Sequence, residues 1–122
     1  MDAKKRLYED YLKPSRLPLY RSILEKAKQN NYEMMSELTF YNLFVTGGIK
    51  GRKILINRHD IDTSPKVAAK MFEIEKAIYG KNGSATYYFR LSTIDKSLIH
   101  MIDSYGYESG YHYEELATIE KR

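Results

Sequence analysis

The chain has no cysteine, which excludes disulfides and thiolate metal sites. It also lacks any run of about 18 apolar residues, so no ordinary transmembrane helix is expected. Met1 to Arg6 leads into charged and tyrosyl residues, not an apolar stretch; no signal peptide is expected, and a cytoplasmic location is. Concentrated positive charge is scarce as well. The net charge is +4, but 20 Lys and Arg are mixed with 16 Asp and Glu along the chain. The tight basic groups are Lys4-Lys5-Arg6 and Lys50-Gly51-Arg52-Lys53. Such a mixture makes a solvated surface, and nucleic acid is not the expected partner.

What is present suits one modest domain. A length of 122 residues allows burial of about two-thirds of the unfolded surface. Twelve tyrosines fit either core-edge packing or a sugar-facing cleft.

Alternation along the chain predicts an α/β fold. A first helix is expected from Ala3 to Leu12, ending before Pro14 because the residue before proline disfavours helix. A second runs from Leu17 to Gln29, with Leu19, Ile23, Leu24 and Ala27 on one face. Tyr32 to Met35 reads as a short strand, and Ser36 caps a helix reaching Phe44. Lys53 to Asn57 reads as a fully buried parallel strand. Ser64-Pro65 opens a helix with cap and first-turn proline, and Val67, Met71, Ile74 and Ile78 mark its inner stripe, widened by Ala68 and Phe72. Ala85 to Leu91 is the next strand. A helix follows from Asp95 to Tyr105, with Leu98, Met101, Ile102 and Tyr105 inward. Tyr107 to Tyr111 is the third strand, and Glu114 to Arg122 reads as the start of a further helix. Such a βαβαβα succession predicts a parallel sheet. Residues 1–52 form a helical lead-in, and 53–122 hold the βα units.

The chemistry gathers after the strands. Arg58-His59-Asp60-Ile61-Asp62 follows the first strand, Arg90 and Ser92 end the second, and His112 ends the third. The carboxyl edge of a parallel sheet is where α/β folds place ligands and catalytic groups. Aspartate and histidine there suit Zn²⁺ or a related divalent ion, with a second carboxylate taking a proton from water. The plainer reading stands beside it: Asp62 caps the helix at Pro65, Asp60 pairs with Arg58, and His112 is a satisfied strand-end histidine. Arg90 either orients an aspartate or contacts an anionic substrate. Thr46 to Lys53 has the wrong glycine spacing for a phosphate loop and precedes a strand instead of following one.

Three segments carry a family likeness. Arg58 to Asp62, Ala85 to Ser92 (ATYYFRLS) and Gly106 to Glu114 (GYESGYHYE) resemble the polysaccharide deacetylase family. This is the NodB-homology group, also called carbohydrate esterase family 4, in its branch with RHDxD and GYHYE motifs. The resemblance covers the chain from about Leu17 onward. It implies a distorted (β/α) barrel and metal-dependent hydrolysis of N-acetyl groups on a carbohydrate. It also implies Asp60 as general base and Asp62 and His112 as ligands of a divalent metal, most simply zinc; Arg90 stands beside them as the candidate substrate contact.

Two departures qualify the match. The family's second metal histidine would stand four residues after His112, where this chain has Leu116. A closed barrel needs roughly 200–250 residues, so the expectation is the N-terminal portion of one, inactive alone. An open half barrel would also leave an edge strand exposed and favour self-association. The alternative is a catalytically inactive carbohydrate-binding or assembly module.

Overall fold

The computed structural model describes residues 2–7 and 16–111. The fold is mixed α/β with small parallel sheets. Helix α1 spans Ala3–Leu7, and the rest of the expected first helix lies outside the described residues. Helix α2 spans Leu17–Gln29 and closes at Asn30 and Asn31, where Asn31 takes φ 64°, a left-handed conformation that asparagine tolerates. Strand β1, Glu33–Met35, leads to helix α3, Glu37–Val45. The Ser36 hydroxyl accepts from Thr39 N–H at 3.1 Å, so the sequence-level cap is the actual one. No residue of α3 is buried.

Strands β2, Ile54–Ile56, and β3, Arg58–Ile61, are one extended path broken at Asn57. β1 pairs in parallel with β2, aligning Met35 with Ile56. β3, β4 (Thr86–Phe89) and β5 (Glu108–Tyr111) follow one another in a second parallel sheet. Asn57 is the junction: its N–H donates to Met35 O, and its own carbonyl accepts from Thr86 N–H, both at 2.9 Å. Helix α4, Pro65–Tyr79, connects β3 to β4, and helix α5, Lys96–Ser104, connects β4 to β5. Ser64 caps α4 through Val67 N–H and Asp95 caps α5 through Leu98 N–H. Each helix is released by a glycine at positive φ, Gly80 at 59° and Gly106 at 93°.

One face of β3–β5 packs against the helices. Ile61, Tyr87, Phe89 and Tyr107 meet Leu24, Ala68, Phe72, Ile74, Leu98 and Ile102 in a single buried cluster. Phe72 is its aromatic centre, edge-on to Tyr87, Tyr105 and Tyr107 with centroids 5.4 to 6.3 Å away. The opposite face carries Arg58, Asp60, Tyr88, Glu108 and Gly110, as strand alternation requires.

Several inward faces differ from the periodicity reading. On α2, Leu24 is buried but Leu19 and Ile23 are exposed; Leu17 and Tyr20 pack on the core instead. On α4, Ala68, Phe72 and Ile74 are buried as the stripe predicts and Met71 and Ile78 pack against the core, but Val67 is exposed and Glu75 and Tyr79 are buried in addition. On α5, Met101 is exposed while Leu98 and Ile102 are buried. The 53–57 strand is not fully buried: Ile54 and Leu55 are half-buried and Ile56 is exposed. The extended path also continues past Asn57 into β3 as far as Ile61, so Asp60 is a strand residue and not part of a turn. Both amphipathic helices flank short strands, and a three-residue strand covers too little of a wide apolar stripe to bury it all.

Candidate functional site

Pairing register sets the edge of the site. Ile61, Phe89 and Tyr111 are aligned across the three strands as the last paired residues. Asp62 and Arg90 each follow directly on one of them, and His112 follows Tyr111 in sequence but lies outside the described residues. Thr93 ties two of these strand ends together: its hydroxyl donates to Ile61 O at 2.6 Å and accepts from Arg90 N–H at 2.9 Å.

Asp60 and Asp62 line one cleft of about 270 Å³, with Ile61, Thr63, Ser64, Val67 and Met71. The β3–α4 connection thus brings both carboxylates to one opening at the carboxyl end of a strand. Arg90 is not part of that lining. The α4 cap is Ser64, so Asp62 is not spent on capping the helix.

Arg58 shares the strand face of Asp60. Its Nε donates to Asp60 Oδ1 at 3.1 Å, its Nη1 lies 3.3 Å from Glu37 Oε1, and its guanidinium sits 4.7 Å over the Tyr88 ring. Hydrogen bonding to Asp60 raises the Arg58 pKa further above its already high value. The Tyr88 ring in turn packs closely on Gly110 of β5, where an added Cβ would come within 2.7 Å of it. The pairing of Asp60 with Arg58 anticipated as the plainer reading is therefore present, in the same place as the cleft.

Behind this face is a polar cluster that sequence reasoning missed. Glu75 is fully buried on α4. The Tyr87 hydroxyl donates to its Oε1, and the Tyr20 hydroxyl donates to its Oε2. Asn57 Nδ2 donates to Oε2 at 2.9 Å, and His59 Nε2 lies 2.6 Å from the same oxygen. Burial, and after it the charge of Glu75, pushes the Tyr20, Tyr87 and Tyr107 phenols above their ordinary range. The signal was available: from Ala68 and Phe72, helical spacing runs through Glu75 to Tyr79, and His59 must face opposite Asp60 on its strand.

Donor chemistry in the cleft is of the right type for a divalent cation, since carboxylate oxygens are its ordinary ligands. Among the described residues, however, no three His, Asp or Glu side chains are grouped closely enough to hold an ion. Of the two metal ligands that the resemblance implies, Asp62 lines the cleft and His112 lies outside the described residues. Also among the described residues, no helix is long and apolar enough to cross a membrane. No family model, no curated protein and no solved structure matches this chain.

Proposed function

We propose that the cleft belongs to a metal-dependent hydrolase that removes N-acetyl groups from a carbohydrate, with the sheet as the first part of a (β/α) barrel of the polysaccharide deacetylase type. The observation that carries this reading is that Asp60 and Asp62 line one open cleft past the end of a parallel strand. The consecutive order of β3, β4 and β5, each parallel to the last, supports the barrel portion of the proposal. Water adds to the acetyl carbonyl, the carbon–nitrogen bond breaks, and acetate and a free amine leave.

Each residue takes a role its chemistry suits. Asp60, oriented by the Arg58 Nε donor at 3.1 Å, accepts the proton of the attacking water. Asp62 and His112 would hold the ion, and Arg90, at the end of the neighbouring strand and outside the cleft lining, would contact the substrate beyond it. A bound divalent cation would polarise the water and lower its pKa toward neutrality. In an assay of acetate release from an N-acetylated oligosaccharide, Asp62→Ala is expected to abolish the chelator-sensitive rate. Asp60→Asn is expected to lower kcat by about a hundredfold or more. Unchanged activity in Asp62→Ala would sink the assignment.

One observation favours a second reading. Arg58 already engages the carboxylate that would act as base. An inactive carbohydrate-binding module would keep that pair closed, and sugar binding would persist in chelator and in Asp60→Asn.

A further inference from the structure

The buried cluster behind the strand has a geometry that goes beyond core packing. Glu75 on α4 collects contacts from Tyr20 on α2, from Asn57 and His59 on the β2–β3 path, and from Tyr87 on β4, with Tyr107, just before β5, close enough to feel its charge. An ionised carboxylate only accepts hydrogen bonds, so each of its contacts must donate. The Tyr20 hydroxyl can do so because it accepts from Asn57 Nδ2 at 2.8 Å and keeps its own proton for Glu75. With Glu75 ionised, His59 would by the same count carry a proton on Nε2, which lies 2.6 Å from Glu75 Oε2 and 3.3 Å from the Tyr20 hydroxyl. Asn57 is also the residue whose backbone hands the strand from Met35 to Thr86. His59 stands between that junction and Asp60, with its ring 4.6 Å from Tyr87.

We propose that Glu75 and His59 are a positioning pair for the cleft. The buried carboxylate anchors Asn57 and His59, and these hold residues 58–62 in the register that presents Asp60 and Asp62. The catalytic consequence rests on the hydrolase reading above; the pairing itself does not. The hydrogen-bond partners of the Glu75 carboxylate, Tyr20, Asn57, His59 and Tyr87, are not lining residues of the cleft, so the pair acts on the chemistry by positioning and not by contact.

The test is nitrogen–proton NMR on the whole chain, wild type against Glu75→Gln, beside steady-state kinetics on an N-acetylated oligosaccharide. In the wild type, the His59 Nε2 proton should be observed and protected from solvent exchange. In Glu75→Gln it should be lost, and the backbone amides of residues 58–62 should shift while those of α5 stay. The kcat should fall by about tenfold or more with KM within about twofold. An unprotonated His59 Nε2 in the wild type would overturn the proposal, as would unmoved 58–62 amides or an unchanged kcat in the variant. If Glu75→Gln fails to fold, His59→Gln and His59→Leu decide. The first keeps an N–H donor and should hold the 58–62 amides near their wild-type positions, and the second should not; identical spectra would overturn the pairing. Should the wild type hydrolyse nothing, as expected of a barrel portion on its own, the amide shifts alone judge the pair, and their failure is distinct from a failure of the function reading.

Discussion

Removing the Tyr87 hydroxyl should destabilise this protein more than removing the Tyr20 hydroxyl, although both donate to the same carboxylate. Tyr87 is fully buried, and its hydroxyl is the donor at Glu75 Oε1. Oε2 instead receives Tyr20, Asn57 at 2.9 Å and His59 at 2.6 Å. Tyr87→Phe therefore strips a buried, charged oxygen of its donor, a loss of about 2–3 kcal/mol. The ring stays against Phe72 and His59, so little packing is lost with it. Tyr20→Phe leaves Oε2 with two donors and should cost about 1 kcal/mol. Urea unfolding at neutral pH would read both, with an unchanged m-value showing that the two-state comparison is sound. The double variant should depart from additivity by about 0.5 kcal/mol or more, since both hydroxyls serve one group. Equal losses in the two single variants, or a loss under about 1 kcal/mol for Tyr87→Phe, would refute the ionised, multiply bonded Glu75.

Alkaline pH should weaken the fold through the same cluster. Tyr20, Tyr87 and Tyr107 have folded pKa values raised above the ordinary 10.0. Above pH 10 the unfolded chain loses these protons while the folded one keeps them, so stability is full below that point and falls as pH rises. Each such tyrosine contributes a slope of about 1.4 kcal/mol per pH unit. Urea midpoints between about pH 9 and about pH 12 would show it, and Tyr87→Phe should flatten the decline by about one such increment. On the other sheet face, Gly110→Ala would put a Cβ 2.7 and 2.8 Å from two Tyr88 ring carbons and displace the ring from under Arg58. A loss of about 1–3 kcal/mol is expected in thermal unfolding. Most of that loss should disappear in a Tyr88→Ala background; an equal loss there would mean the ring is not the obstacle.

Much of the scaffold was legible in the sequence because local rules govern it. Ser36, Ser64 and Asp95 cap the helices that their positions announce, and Gly80 and Gly106 end two of them at positive φ. The parallel sheet follows from strands separated by helices. Which side of each helix faces inward was less legible, because α2 and α4 carry apolar residues on a wide arc and only tertiary packing chooses among them. Leu19, Ile23 and Val67 lost that choice to Tyr20, Glu75 and Tyr79. The candidate site was half legible. Strand-end placement brought Asp60 and Asp62 to one cleft. The Arg58–Asp60 pair also follows from their spacing on one strand face. Glu75 was hidden because a glutamate between Ile74 and Lys76 reads as a solvated charge; its donors come from segments 12 to 55 positions away.

Calorimetric titration of Zn²⁺ into the whole chain, with Asp62→Ala and His112→Ala as controls, tests the metal-hydrolase reading most directly. The account predicts one ion per chain and loss of binding in both variants. A folded chain that binds no zinc, or binds it equally well without Asp62, would contradict it.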